Sequence, residues 1–152
     1  MSRAHLAAIA ALASASMTPA LPVFDTAVEQ PNYNPLDWTG AWTSAQRAAW
    51  VLPTRYLILS APTLRTIAES LDDVPRDVRD YVRITAVDSS ARAARLIQEA
   101  ARADLDRSHP TVTGYSTDLR HSTADVFAKD GDGPTDLYYA VDTYLYQATP
   151  NA

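Results

Sequence analysis

The sequence predicts an α+β domain: a mixed, mainly antiparallel β-sheet of about four to five strands with two α-helices packed on one face. Three stretches predict it. From Val82 to Val87 the apolar Val82, Ile84 and Ala86 alternate with Arg83 and Thr85, the two-residue period of a half-buried strand. At Asp88-Ser89-Ser90 the period changes, because short oxygen-bearing side chains there are suited to accept the first free amides of a helix. Beyond it Ala93, Ala94, Leu96, Ile97, Ala100, Ala101 and Leu105 share one helical face, with Arg92, Arg95, Glu99, Arg102 and Asp106 on the other. On that wet face Arg95 and Glu99, and Arg102 and Asp106, stand four apart, a spacing that favours ion pairs along the helix. Near the C-terminus, runs at 117–129 and 136–147 flank the turn-rich DGDGPT and predict an antiparallel hairpin.

The remaining elements follow in order. In SRAHLAAIAALASAS the large apolar residues Leu6, Ile9 and Leu12 are spaced three apart, which predicts an amphipathic helix packed on the sheet. A weak secretory signal, with Arg3 before an alanine-rich run and the small residues Ala13-Ser14-Ala15, is the competing reading. Pro19 and Pro22 stop the helix, and PVFDTAV supplies a short strand centred on Phe24. From about 29 to 52 runs an irregular insertion holding Trp38, Trp42 and Trp50, either a local miniature core or an adhesive surface. TRYLILSA has three apolar residues in succession, Leu57, Ile58 and Leu59, and predicts a central strand buried on both sides. In 62–77, Leu64, Ile67, Ala68 and Leu71 have helical spacing, although an extended arm fits equally. In the last strand Tyr138, Ala140, Asp142, Tyr144 and Tyr146 form one side, and Leu137, Tyr139, Val141, Thr143 and Leu145 the other. The tyrosine side fits a subunit interface or an ordinary sheet face with cross-strand aromatic pairs.

Totals narrow the function classes. At 152 residues the chain is the length of one domain, 1–152. Without cysteine it has neither disulfide framework nor thiolate metal site. Thirteen Lys and Arg against 18 Asp and Glu give a net charge of −5, which disfavours a protein gripping nucleic acid by its phosphates. No run approaches the roughly 18 apolar residues of a spanning helix. Nucleophile elbows, phosphate-cradling loops, dinucleotide fingerprints and H-E-x-x-H pairs are all missing, and DGDG lacks the later ligands of a calcium loop. The conceivable acid-base position is His121, which unbroken alternation puts on the same face as Asp125. His5 and His109 lie in a helix start and a turn with no partner in view. No catalytic residue, metal ligand or cofactor is expected.

VRDYVRITAVDSSARAARLIQEAARADL and GPTDLYYAVDTYLY, with the opening helix and PTRYLILSA in the same order, resemble the tail terminator proteins of long-tailed bacteriophages, the minor tail protein U-like or tail completion family. The likeness spans most of the chain. It implies a non-enzymatic virion protein, assembled in the host cytoplasm, that forms a homohexameric ring on the head-proximal end of the tail. The implied partners are further copies of the chain, the tail tube protein and the head-tail connector. Genomic DNA would pass through the lumen without specific binding, and no membrane is involved. Such a ring needs two different patches that meet head to tail. Trp38 or Trp42, the arm with Leu64, Arg65 and Ile67, and the last-strand Tyr138, Tyr144 and Tyr146 are the candidates, with alanine at Tyr144 or Trp42 expected to weaken assembly and spare the fold. Two other classes compete: a small secreted actinobacterial-type protein cleaved near residue 16, and a small hydrolase built on His121 with Asp125.

Overall fold

At Ser90 the strand period gives way to the helix period, and the two halves of this junction generate the core. The computed structural model describes residues 3–25, 54–61, 77–130 and 137–151. The elements are α1 (Arg3–Ala15), β1 (Val23–Asp25), β2 (Tyr56–Ser60), β3 (Val78–Asp88), α2 (Ala91–Leu105), β4 (Tyr115–Asp130) and β5 (Leu137–Pro150). The Ser90 side chain accepts the Ala93 amide at 3.2 Å and so caps α2, as its short hydroxyl suggests. The expected strand is longer than the alternation alone indicates, because β3 continues back to Val78.

The five strands form one sheet in the order β1-β2-β3-β5-β4. The β1–β2 pair is parallel and the other three pairs are antiparallel, so the sheet is mixed and mainly antiparallel. β3, not β2, occupies the centre; β2 lies one strand from the edge, and its apolar run is buried at Tyr56, Leu57 and Leu59. The hairpin of β4 and β5 forms in the predicted place, with its turn outside the described residues. Also outside them are Trp38, Trp42, Trp50, Leu64, Arg65 and Ile67.

Both helices pack on one face. Leu6, Ile9, Ala10 and Ala13 of α1 share a core with Ile97, Ala101 and Leu105 of α2 and with Leu57, Leu59, Val82, Ile84, Leu119, Tyr144 and Tyr146 of the sheet. Burying each of the larger aliphatic side chains contributes about 1.5–3 kcal/mol, which makes this face the main source of stability. The inner side of α2 differs from the expected one: Leu96 points outward and is 52% exposed, whereas Gln98 is buried. A glutamine enters that position because the sheet beneath it supplies polar partners.

The opposite face carries a smaller cluster of Phe24, Tyr56 and Val87, with Ile58, Leu137 and Tyr139 partly buried beside it. Between them Tyr56, Ile58, Thr85, Val87, Leu137 and Tyr139 line an open, largely apolar depression of about 250 Å3.

Candidate functional site

Asp142 is the most demanding residue of the sheet, because a carboxylate with 2% of its surface exposed requires compensation. It alternates into the helix-covered face between Ala140 and Tyr144, and α2 brings two donors over it. Arg102 donates from Nε to Oδ2 at 2.9 Å and from Nη2 to Oδ1 at 2.6 Å, a two-pronged ion pair. Gln98 Nε2 donates to Oδ1 at 3.0 Å and to the Val141 carbonyl at 3.1 Å. From the sheet, His121 Nε2 lies 3.3 Å from Oδ1, and the Tyr144 hydroxyl donates to Oδ2 at 3.4 Å. Burial first, and then the Asp142 charge, push the Tyr144 hydroxyl above the ordinary tyrosine range, partly offset by Arg102. The bond to Asp142 raises Arg102 in turn.

His121 therefore has a carboxylate partner, but not the one that sequence alternation suggests. A register break between His121 and Thr123 places His121 opposite Tyr144 and Asp125 opposite Val141, and these two β5 positions belong to opposite sides of the sheet. The extra residue at the bulge separates the pair that simple alternation joins. The actual partner, Asp142, is already held by Arg102, Gln98 and Tyr144. A carboxylate whose lone pairs are so fully engaged is poorly placed to orient a histidine for proton transfer. Chemically the arrangement is a tether that fixes α2 to β5 and β4.

Of the ion pairs predicted along α2, the one between Arg102 and Asp106 is replaced by the contact with Asp142. Arg102 turns inward to Asp142 in place of Asp106, while an Asp106 Oδ accepts the His121 amide at 2.8 Å. No ion pair joins Arg95 to Glu99.

Two further polar clusters flank the core. His5 is 3% exposed, with Nδ1 2.5 Å from the Tyr146 hydroxyl and its ring edge-on to Tyr115 and Tyr146. Burial, and after it the positive chain terminus, hold this imidazole below the ordinary histidine range. Asp88, buried at the end of β3, accepts from Arg55 Nε at 2.8 Å and from the Ser89 amide at 2.6 Å. His109 also has a partner, the Thr117 carbonyl, 2.5 Å from its Nδ1. Among the described residues no group of three or more His, Asp or Glu side chains is gathered to hold a metal ion.

The tyrosine face is corrected by the same geometry. Tyr144 and Tyr146 are fully buried beneath the chain's own helices, and Tyr138, at the end of that row, is only half-buried. The polar tips that suggest an interface are occupied internally, by Asp142 for Tyr144 and by His5 for Tyr146. Neither residue is available to a second copy of the folded chain.

No family model matches the chain, and no curated protein does. A solved structure whose title states no activity is similar in fold, with a TM-score of 0.55 at 16% identity, covering 94% of this chain and 89% of that one. At that identity the likeness concerns the fold alone.

Proposed function

We propose that this chain is a structural, ring-forming virion protein of the tail terminator kind, capping the tail tube and joining it to the head-tail connector. The observation that carries the reading is the coincidence between the resemblance and the core. Of the segments that resemble the family, 78–105 is β3 with its Ser90-capped helix, and 133–146 is, over its described residues from Leu137, the strand beside β3 in the sheet. The element order and the two helices on one face agree with the fold that the resemblance implies. Saturation of the Asp142 carboxylate supports a non-enzymatic role, since the histidine nearest to an acid-base arrangement leans on an anion engaged elsewhere. The position of α1 favours the same reading over a cleaved secretory segment, because Ile9, Ala10 and Ala13 are part of the core.

Under this proposal the head-to-tail contacts of the ring use Tyr138 with Trp38, Trp42, Leu64, Arg65 and Ile67, while Tyr144 and Tyr146 drop out of the interface. The test is electron microscopy of virus particles assembled without the protein. Abnormally long or headless tails are the expected defect. Tails of normal length joined to filled heads would refute the proposal.

A further inference from the structure

Two histidines of this fold differ in one respect: the part-buried His121 faces a carboxylate, and the buried His5 has none bonded to it among the described residues. His5 sits in the first turns of α1 with its ring edge-on to Tyr146 of β5 and Tyr115 of β4. β1, β2 and α2 contribute the apolar Val23, Leu57, Leu59, Ile97, Ala101 and Leu105 to the core that α1 shares. Among the described residues no ion pair joins a carboxylate to His5. An imidazolium at this place would be largely withdrawn from water with no carboxylate paired to it among the described residues, whereas the neutral ring has the Tyr146 hydroxyl as the partner of Nδ1.

The helix carrying this histidine is short and has little support of its own. It has 13 residues, no acidic side chain in its first turn and no basic one in its last. Isolated helices below about 12–15 residues are marginal in water, so α1 persists because Leu6, Ile9, Ala10 and Ala13 dock it. The ladder from β2 through β3 and β5 to β4, with α2 fixed by Arg102 and Gln98, is complete without it. Elements of this kind open separately from the rest of a fold.

From this we infer that α1 is an acid-released cover: when His5 takes a second proton the helix leaves the sheet while the α2-backed strands stay folded. The device goes beyond the assembly role and does not depend on it. It would let an apolar surface be hidden at neutral pH and presented under mild acid.

The experiment is amide hydrogen exchange of the full chain, read residue by residue as protection factors at about pH 7.5 and about pH 5, with the His5 ring followed by NMR in the same titration. Protection in α1 should fall by about tenfold or more while that of β3 and β5 holds, and the His5 ring signal should shift together with the loss. In the H5N variant, which carries no titratable ring, α1 protection should not change between the two conditions. The inference is overturned if α1 keeps its protection in the wild type, if β3 and β5 lose theirs in parallel, or if His5 titrates while α1 stays docked. If H5N leaves α1 undocked at both conditions, the wild-type coincidence of ring titration and α1 exchange decides alone.

Discussion

Asp142 illustrates how one side chain can organise its neighbours. Its burial obliges Arg102 to abandon the wet face of α2, gives Gln98 a polar partner on the buried side of that helix, and fixes His121 from the adjoining strand. Replacing it with asparagine keeps the shape and removes the charge, leaving Arg102 without an anion. Because the Arg102 side chain is 34% exposed, the loss falls toward the lower end of the range for broken buried pairs, about 2–3 kcal/mol in urea denaturation. The double variant D142N/R102M should recover part of that loss, since an unpaired cation no longer remains. Tyr144 belongs to the same neighbourhood. Y144A removes a fully buried ring and should destabilise the fold by about 3–5 kcal/mol, measured by chemical denaturation, so any assembly defect of that variant would reflect unfolding.

At the level of elements, α2 depends on its cap: S90A leaves the Ala93 amide without its acceptor and should lower stability by about 1 kcal/mol, with no change in denaturant slope. The strand-to-helix junction is also the part of the fold most open to reading from the letters, because both periods and the capping serine are local signals. Phe24, the TRYLILSA strand and the terminal hairpin are legible for the same reason. The orientation of β5 is not. Both of its faces carry aromatic or aliphatic residues, so hydrophobicity cannot tell which one the helices cover. Asp142 held the missing clue: an acid in the tyrosine row, with Arg102 and Gln98 four apart on the preceding helix, fits a buried ion pair once that row is taken as core. The bulge at His121 and Thr123 is a second point of failure, since it arises from how β4 meets β5 and leaves no mark in the alternation of β4 alone.

For the molecule as a whole, three groups at the core, His5, Tyr144 and Tyr146, favour their uncharged forms, and this shapes its response to pH. His5 is held below its ordinary value of 6.5, so the unfolded chain takes a proton that the folded one refuses; this contribution is intact above about pH 6.5 and is lost as pH falls. Tyr144 and Tyr146 are held above their ordinary value of 10.0, so their contribution is intact below about pH 10 and is lost as pH rises. Denaturation midpoints across pH should therefore trace a plateau with a falling limb on each side, and Y146F should soften the alkaline limb; a midpoint unchanged beyond pH 10 would contradict the burial of these phenols.

The turn that finishes α2 has an effect at the sheet's border. Arg107 adopts a left-handed backbone at φ 61, and the chain then doubles back so that the Ser108 carbonyl accepts the Leu119 amide while Asp106 accepts that of His121. The Leu119 and His121 amides on this margin of β4 are thus engaged, and a foreign strand arriving there finds no vacant donor at either position. A strand pairing at these two positions would first have to displace the residues that follow α2, so this stretch of the rim is guarded against growth by strand addition.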